Sequence, residues 1–337
     1  MDILLRMEAN ALDEIATDQI RLLTKVARMY HERGMRQPQI AQQLHISQPR
    51  VSRLLKRAVE LGIVRTTVIA PRGVYAELEE QIEQAYGLTE VIVADADDQD
   101  GEPEIMRALG AAAAVYLETT LMGGERIGVS SWSSTILATV EAMHPRPTKV
   151  ADQVVQMLGG VGNVTAQTQA TRITGRLAAL TGAQAVYLQA PGLLASADMR
   201  QMFVTDPNIE PVLKACDDLT MALVGIGSIE PSPLLRESGN AVAEGELPAL
   251  RTAGAVGDVC IRFFDSNGEH IDSELDDRVL GIGADTLRAV PRRVAVAGGA
   301  RKTTAIKAAL RGGWVNVLIT DLQVARSLVS PLNSPVG

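Results

Sequence analysis

The sequence predicts an α/β protein of two parts: an N-terminal helix-turn-helix domain, winged-helix-like in outline, and a larger domain built on a mostly parallel β-sheet. Three observations support this fold class. Helical patterns follow one another closely between residues 18 and 61, basic residues concentrate in the same stretch, and short β-branched runs alternate with helical stretches beyond residue 87. We expect the first domain at residues 1–72, a connector helix at 73–87 and the larger domain at 88–337.

Three helices are predicted in the first domain. Apolar residues recur at helical spacing from Asp18 to Glu32 and again from Gln37 to Leu44. The third helix is expected to follow Ser47, a residue type that caps helix N-termini, and to run to about Leu61. His45 lies in the turn before it, where we expect a left-handed backbone that Gly or Asn adopts more easily.

The charge of the chain is distributed unevenly. Residues 19–72 hold eleven Lys or Arg residues against Glu32 and Glu60, a local net charge of +9, although the whole chain carries −8. A concentrated basic block in an acidic protein favours a polyanionic partner, because phosphate neutralisation acts locally. A solvated basic face without a partner is the alternative that charge alone leaves open.

The third helix has one apolar side and one basic side. Val51, Leu55 and Ala58 belong to the apolar side, so we expect the opposite side to face a DNA groove. A recognition helix presents its first residues to base edges, while flanking Arg and Lys residues hold phosphates. The residues predicted to contact DNA are Ser47, Gln48, Arg50, Ser52, Arg53, Lys56 and Arg57. A helix-turn-helix that serves only as a packing module remains the alternative.

Two elements are expected between the domains. The β-branched residues 63–70 predict a short strand, which would give the first domain its winged-helix character. The apolar stripe from Val74 to Tyr86, on an otherwise Glu-rich segment, predicts the connector helix.

Eight β-branched runs predict the strands of the larger domain. They lie at residues 90–95, 126–131, 154–160, 185–192, 220–228, 257–264, 293–299 and 315–321, and helices are expected at 104–121, 133–143, 170–182 and 302–311. A parallel sheet of this kind binds ligands at the carboxyl ends of its strands, where loops and helix N-termini meet.

Two loops at these strand ends predict a phosphate site. Hydroxyl groups crowd between a strand and a helix, where the helix dipole favours an anion. Lys302 adds a cation beside two glycines that allow close backbone approach. The candidate residues are Ser130, Ser131, Ser133, Ser134, Thr135, Gly298, Gly299 and Lys302. Helix capping alone also explains a cluster of serines and stays open as the alternative.

Asp258 has two possible roles, hydrogen bonding to sugar hydroxyls or capping of a turn, and the sequence does not separate them. Nucleotide hydrolysis is disfavoured. In the run GGARKTT, Arg301 occupies the position where a nucleotide-binding P-loop requires Gly.

We expect no metal site, no disulfide bond and no membrane-spanning segment. The two cysteines, Cys216 and Cys260, and the four histidines are far apart in sequence and lack ligand spacing. No apolar run is long enough to span a bilayer, and the first residues lack the basic start of a signal peptide. We expect a cytoplasmic protein without a cofactor or a metal.

Four runs in the sequence resemble the SorC family of sugar-responsive transcription regulators. They are ISQPRVSRLLKRAVELGIV, GDVCIRFFDSNG, DDRVLGIGADTLRAVP and AGGARKTTAIKAALRGGWVNVLITD, and the similarity spans residues 20–330. The resemblance implies a DNA-binding domain joined to a sugar-isomerase-like domain that binds a phosphorylated sugar or polyol, usually in a tetramer. It also implies effector contacts at the loop around Trp132, at Asp258 and at the Gly298, Gly299 and Lys302 loop. Ser133 departs from the glycine that the family commonly has after the tryptophan.

The leading hypothesis is a regulator of a carbohydrate or polyol catabolic operon. Its expected partners are operator DNA, a sugar-phosphate effector and further copies of the chain, in a dimer or tetramer. The alternative from another class is a sugar-phosphate isomerase or lactonase fused to a DNA-binding domain, although no histidine is expected beside an orienting carboxylate at a strand end. A third possibility is a helix-turn-helix protein whose acidic part only oligomerises. No catalytic residue is predicted.

Overall fold

The computed structural model describes residues 17–64, 71, 73–97, 99–238 and 240–329. The chain divides into two compact units, residues 1–70 and 71–337, and each has its own hydrophobic core. None of the helices in the described residues is long and apolar enough to cross a membrane.

Three helices form the described part of the first unit, as predicted. They are α1 (Thr17–His31), α2 (Gln37–Leu44) and α3 (Gln48–Glu60). Val26 of α1 and Ile40 of α2 meet Val51 of α3 in one buried cluster. Residues 65–70 of the predicted strand lie outside the described residues, so that strand stays a prediction.

The turn between α2 and α3 has the predicted backbone. His45 is left-handed, with φ 53° and ψ 41°. The N–H of Ile46 donates to the carbonyl of Ala41 at 3.0 Å, which closes the end of α2. Ser47 occupies the N-cap position of α3, but its side chain makes no capping hydrogen bond.

Strands of the second unit form two sheets. In chain order they are β1 (Glu90–Ala94), β2 (Glu125–Val129), β3 (Ala151–Gln156), β4 (Gln184–Val186), β5 (Met221–Val224), β6 (Gly227–Ser228), β7 (Gly257–Val259), β8 (Arg262–Phe264), β9 (Arg292–Val296) and β10 (Val317–Asp321). Seven of them form one sheet in the order β1-β10-β9-β5-β2-β3-β4, and every neighbouring pair is parallel. The predicted mostly parallel α/β fold is confirmed.

Helices cover both faces of the large sheet. The α-helices that the structure describes in the second unit are α4 (Ala76–Tyr86), α5 (Glu102–Thr120), α6 (Ser134–Ala142), α7 (Val164–Thr181), α8 (Ala197–Val204), α9 (Glu210–Ala215), α10 (Pro233–Ser238), α11 (Leu247–Thr252), α12 (Ala284–Ala289), α13 (Thr303–Arg311) and α14 (Leu322–Val329). Residues of α5, α6 and α7 belong to the core on one face, and those of α4, α12, α13 and α14 to the core on the other. Neighbouring strand residues alternate between these cores, as Leu318 and Ile319 do.

The Glu-rich helix α4 protects an edge of the large sheet. Glu79 and Glu83 accept hydrogen bonds from the backbone N–H groups of Val93 and Val91 at 2.9 and 2.8 Å. These N–H groups belong to the edge strand β1, which has a neighbour on one side only. The two carboxylates therefore occupy donors that would otherwise offer a template for another strand.

The run at residues 257–264 is a hairpin and not the single strand that we predicted. β7 and β8 pair antiparallel, and β6 completes a separate three-stranded sheet. The chain reverses at Cys260 and Ile261, whose φ values are 54° and 61°. Hairpin turns with positive φ usually contain Gly, Asn or Asp, so an apolar pair conceals the turn in the sequence.

The strand order of the large sheet reverses between β2 and β5. After β2 the chain continues to β3 and β4 on one side, whereas after β5 it continues to β9 and β10 on the other. The connections that leave β2 and β5 therefore diverge. Open α/β sheets bind ligands in the crevice that such a divergence creates at the carboxyl ends of the strands.

Substitutions at His45 test the strain in the turn. We expect His45→Val to make the packing of α2 and α3 less stable than His45→Gly does, by about 1–2 kcal/mol, because a Cβ is unfavourable in a left-handed backbone and a β-branched side chain more so. Hydrogen exchange of peptides from residues 37–60, measured in the full chain by mass spectrometry, checks this difference. Equal protection in the two variants contradicts it.

Candidate functional site

All seven residues predicted to contact DNA are exposed on α3 and at its N-cap. They are Ser47, Gln48, Arg50, Ser52, Arg53, Lys56 and Arg57. Val51, Leu55 and Ala58 are buried in the core of the first unit. Because the apolar residues recur at helical spacing, their burial leaves the basic side of α3 in solvent.

Two of the exposed arginines have partners on α3 itself. Arg53 Nε donates to the carbonyl of Pro49 at 3.3 Å, and Arg57 Nη1 lies 3.1 Å from Glu60 Oε2. The side chains of Arg57 and Glu60 are 53% and 45% exposed, and ion pairs of this kind contribute little to stability. A DNA phosphate can therefore replace these partners with little loss of folding stability.

The loop after β2 is tied to the loop after β3. Ser131 Oγ donates to the carbonyl of Leu158 at 3.0 Å, and Trp132 Nε1 donates to the carbonyl of Gly159 at the same distance. Both side chains are buried. The hydroxyl of Ser131 and the indole N–H of Trp132 thus hold the loop in place, and these donors are already used within the protein.

Ser133 and Thr135 connect the start of α6 with the ends of two further strands. Their hydroxyl oxygens lie 3.0 Å apart, and Thr135 Oγ1 donates to the carbonyl of Val296, the last residue of β9, at 2.6 Å. A Cβ on Gly225, directly after β5, would overlap Ser133 Oγ. The structure therefore brings the predicted hydroxyl cluster to the carboxyl ends of β2, β5 and β9. Ser133 Oγ also accepts the N–H of Ile136 at 3.4 Å, so helix capping is part of its role.

Asp258 lies opposite Gly227 in the small sheet. Its Oδ2 accepts the N–H of Ile261 at 2.9 Å, which caps the hairpin turn, and its Oδ1 occupies the space where a Cβ on Gly227 would be. Burial raises the pKa of Asp258 to about 6, although the hydrogen bond from Ile261 and the charge of Lys302 oppose this shift. The structure thus shows the turn-capping role of Asp258. Its carboxylate is also close enough to Lys302 for the two charges to interact.

Lys302 ends the short 3₁₀ turn Ala300–Lys302 before α13. Burial lowers its pKa, and neighbouring Arg301 adds to the effect, whereas Asp258 and Glu102 oppose it. A half-buried ammonium group gains from a nearby anion, because the anion replaces part of the lost hydration. The structure therefore brings together two residues, Asp258 and Lys302, that are 44 positions apart in the sequence.

Asp321, which sequence reasoning did not identify, supports the glycine loop. Its Oδ2 accepts the N–H of Gly299 at 2.6 Å, and its Oδ1 accepts the N–H of Val324 at 3.0 Å. A Cβ on Gly298 would overlap Oδ2, and Gly299 has a φ of 87°, so both positions require glycine. The N–H of Gly299 is therefore used by Asp321. The sequence signal that could have identified Asp321 is its position as an acidic residue directly after the buried strand residues VLIT.

Two surface cavities lie away from these residues. One, of about 430 Å³, is bordered by Arg200, Lys214 and Thr286, and the other, of about 670 Å³, lies along α7. Neither is lined by a residue of the predicted effector site. In the first cavity Lys214 is already paired with Glu210 at 2.7 Å, so we favour the carboxyl edge of the sheet for an anionic ligand.

The cysteines have the surroundings expected of buried thiols. Cys216 and Cys260 are unpaired, and burial raises the pKa of each to about 12. Among the described residues, no group of three or more His, Cys, Asp or Glu side chains is arranged to hold a metal ion.

Asp258→Asn tests the burial of the Asp258 carboxylate. Because its folded-state pKa is raised to about 6, the folded chain keeps a proton between about pH 4 and pH 6 that the unfolded chain has released. The contribution of Asp258 to the free energy of unfolding therefore falls as the pH rises through this window and is constant above it. We expect the Tm of the variant, relative to that of the natural chain, to increase from about pH 4 to pH 7. A Tm difference between the variant and the natural chain that does not change with pH contradicts the burial of the Asp258 carboxylate.

Comparisons with known families match both units. Residues 73–330 match the family described as a putative sugar-binding domain, and residues 16–67 match a homeodomain-like domain. The deoxyribonucleoside regulator of Bacillus subtilis (strain 168) is 35% identical over 314 residues, which cover 93% of this chain and 98% of the relative. The sorbitol operon regulator of Klebsiella pneumoniae is 32% identical, with 93% and 99% covered.

Solved structures give the same result. The crystal structure of the full-length sorbitol operon regulator SorC from Klebsiella pneumoniae matches with a TM-score of 0.69 and 29% identity, over 93% of this chain and 100% of that chain. The putative sugar-binding domain of the transcriptional regulator DeoR from Pseudomonas syringae pv. tomato is 40% identical, with a TM-score of 0.61, over 76% of this chain and 100% of that chain. The chain therefore belongs to the SorC family of transcription regulators, in which a helix-turn-helix domain precedes a sugar-binding domain.

Proposed function

We propose that the second unit binds a phosphorylated sugar or polyol at the carboxyl edge of its large sheet and thereby controls operator binding by the first unit. The observation that carries this proposal is the convergence of Ser133, Thr135, Asp258 and Lys302 near the strand-order reversal. The protein is a transcription regulator rather than an isomerase or lactonase, since its relatives are named as regulators.

The phosphate is assigned to the start of α6 and to Lys302. The first N–H groups of a helix have no partner within the helix, and its dipole favours an anion there. The hydroxyl of Ser134 adds a further donor, and Lys302 supplies the charge. The protons of the Ser133 and Thr135 hydroxyls are used within the protein, so these two residues hold the start of α6 in place. Asp258 faces Lys302 as an acceptor for a sugar hydroxyl, because a carboxylate would repel the phosphate itself. The buried Ser130 precedes this cluster, and Gly298 and Gly299, held by Asp321, are assigned to the effector site with Lys302.

For DNA, the base-reading residues are Gln48, Arg50, Ser52 and Arg53 near the start of α3. Lys56 and Arg57 follow on the same helix and are assigned to phosphates, with Ser47 at the helix start. The proposed boundaries are 1–72 for this domain, 73–87 for the connector and 88–337 for effector binding and oligomerisation.

Self-association completes the proposal. Operator half-sites are separated by about one helical turn of DNA or its multiples, so a dimer or tetramer places two recognition helices at a fixed spacing. The effector acts by its different affinity for two subunit arrangements. The site of action is the cytoplasm, where the operon and its sugar phosphates are found together.

Arg53→Ala is expected to weaken binding to the operator by about 1–3 kcal/mol if the guanidinium contacts a base pair. Arg107→Ala is the matched control, because Arg107 is exposed on α5 in the second unit and pairs there with the nearby Glu104. Fluorescence anisotropy at fixed salt, with DNA from upstream of the operon, measures both. An unchanged affinity for Arg53→Ala contradicts the assignment.

Lys302→Met is expected to remove most of the thermal stabilisation that a sugar phosphate gives. A ligand at a hundredfold excess over its Kd stabilises the folded chain by about 2.7 kcal/mol, so a large loss of affinity is visible as a smaller rise in Tm. Lys307→Met, on the helix α13 that follows Lys302, is the matched control, since Lys307 Nζ donates to the carbonyl of Ser327, outside the site.

The measurement is a thermal-shift screen with hexose, pentose and polyol monophosphates. A sugar phosphate that stabilises the natural chain and the Lys302→Met variant equally contradicts the assigned site. Turnover of any of these compounds contradicts a purely sensory role.

A further inference from the structure

The connector helix α4 runs antiparallel to β1, the strand to which it is hydrogen-bonded. Glu79 accepts the N–H of Val93 near the end of β1, whereas Glu83, one turn later in α4, accepts the N–H of Val91 near the beginning of the strand. Neighbouring strands of the large sheet are parallel, so their carboxyl ends share one edge. The amino end of α4, which follows the first unit in the chain, therefore lies at the same edge of the sheet as the proposed effector site.

Tyr75 is the residue from which α4 begins. It occupies the N-cap position, and its carbonyl accepts the N–H groups of Leu78 and Glu79, both at 2.9 Å. Its ring packs against the hydrophobic core on this face of the sheet, and its hydroxyl donates to Oδ1 of Asp95, the residue directly after β1. This hydrogen bond raises the pKa of Tyr75, so the phenol remains protonated at neutral pH and keeps its donor.

Asp95 meets the segment before α4 at a second point. A Cβ on Gly73 would lie 3.3 Å from Asp95 Oδ2, and Gly73 has a φ of 78°, a conformation that favours glycine. The carboxylate thus lies against the backbone two residues before Tyr75 and also accepts the hydrogen bond of the Tyr75 hydroxyl. Asp95 therefore connects the carboxyl end of β1 with the short segment that joins the first unit to α4.

The neighbouring strand β10 connects Asp95 with the glycine loop of the effector site. The last residues of β1 and β10 pair in register. Just beyond this pair, the N–H of Leu322 donates to the carbonyl of Ala96 at 3.0 Å. Asp321, which precedes Leu322, accepts the N–H of Gly299 at 2.6 Å. Hydrogen bonds therefore link the glycine loop to the end of β1 that carries Asp95.

The hydrogen bond between Tyr75 and Asp95 has a strength suited to regulation. It is exposed, whereas the middle of α4 is fixed by Ile82, which is fully buried. The net contribution of one hydrogen bond is of the same order as the coupling free energy between two sites of an allosteric protein. A ligand can therefore form or break this contact without unfolding α4.

We propose that the contact between Tyr75 and Asp95 couples the effector site to the connector helix. Occupation of the site shifts the glycine loop, and this shift changes the position of Tyr75 and of the chain that leads from the DNA-binding unit. This inference rests on the proposed function and deepens it, since it names the route by which effector binding alters operator binding. Tyr75 is a positioning residue in this scheme and contacts neither the effector nor DNA.

The test uses the full chain, the variants Tyr75→Phe and Asp95→Ala, and the control Tyr86→Phe. Tyr75→Phe removes the hydroxyl alone and keeps the ring in the core. Tyr86→Phe makes the same change at the other end of α4, where the hydroxyl donates to the carbonyl of Leu328 at 3.1 Å, away from the carboxyl edge. The Tm without ligand reports on the fold of each variant.

The probes are glucose-6-phosphate, ribose-5-phosphate and sorbitol-6-phosphate, together with DNA from upstream of the operon. Isothermal titration calorimetry gives the Kd of each sugar phosphate without DNA. Fluorescence anisotropy at fixed salt gives the Kd of the DNA with and without a saturating sugar phosphate. The ratio of these two DNA Kd values measures the coupling.

We expect Tyr75→Phe and Asp95→Ala each to bring this ratio about fivefold closer to 1, the size of effect of one hydrogen bond. The Kd of the sugar phosphate without DNA is expected to stay unchanged, because neither residue contacts the ligand. Tyr86→Phe is expected to leave both the ratio and the sugar-phosphate Kd unchanged.

Three results overturn the inference and leave the proposed function intact. The first is an unchanged ratio in Tyr75→Phe. The second is an equal change of the ratio in Tyr75→Phe and Tyr86→Phe, which would point to a general loosening of α4. The third is a weaker binding of the sugar phosphate to Tyr75→Phe without DNA, which would place Tyr75 in the effector site itself. If no sugar phosphate binds the natural chain, or if none that binds changes its DNA Kd, the proposed function fails and this inference with it.

Discussion

A parallel sheet opens a crevice at its carboxyl edge where neighbouring strands send the chain in opposite directions, and in this protein that place lies between β2 and β5. The rest of the effector site depends on this constraint. It brings the Ser133 hydroxyl against Gly225 and lets Thr135 bond to the end of β9. The loops after β2, β5 and β9, which are far apart in the sequence, therefore lie at the same edge of the large sheet.

Burial gives this edge its electrostatic character. The same low-dielectric surroundings raise the pKa of Asp258 and lower that of Lys302, so each residue is less stable in its charged form than it would be in water. An anion beside Lys302 favours the charged ammonium, whereas a hydroxyl donor beside Asp258 favours the carboxylate. One ligand with a phosphate at one end and hydroxyls at the other would satisfy both residues, which is why we propose a sugar phosphate as the effector.

Much of the fold could be predicted because periodicity is a local signal. The alternating runs identified the parallel sheet, and the caps and apolar stripe of α3 identified its exposed basic side. The hairpin of β7 and β8 could not be predicted in this way, since Cys260 and Ile261 carry none of the usual turn residues. Its turn is visible only when the antiparallel pairing of Val259 with Arg262 is known.

The sequence identified several residues of the candidate site but not the hydrogen bonds that they make. Ser131 and Trp132 were expected to face a ligand, yet their donors bond to Leu158 and Gly159, which no local pattern connects with them. Asp321 was missed because it ends a buried strand, where a single polar residue breaks the hydrophobic pattern only at its last position. Polar residues at the carboxyl ends of predicted parallel strands are thus a signal that periodicity analysis leaves unused.

In the proposed function, effector binding by the second unit and operator binding by the first are thermodynamically coupled. The most direct test is the affinity of the full chain for operator DNA, measured by fluorescence anisotropy at fixed salt with and without a saturating sugar phosphate that is known to bind. We expect this affinity to change by about 5- to 150-fold in the natural chain. An operator affinity that is the same with and without every sugar phosphate that binds the protein would contradict it.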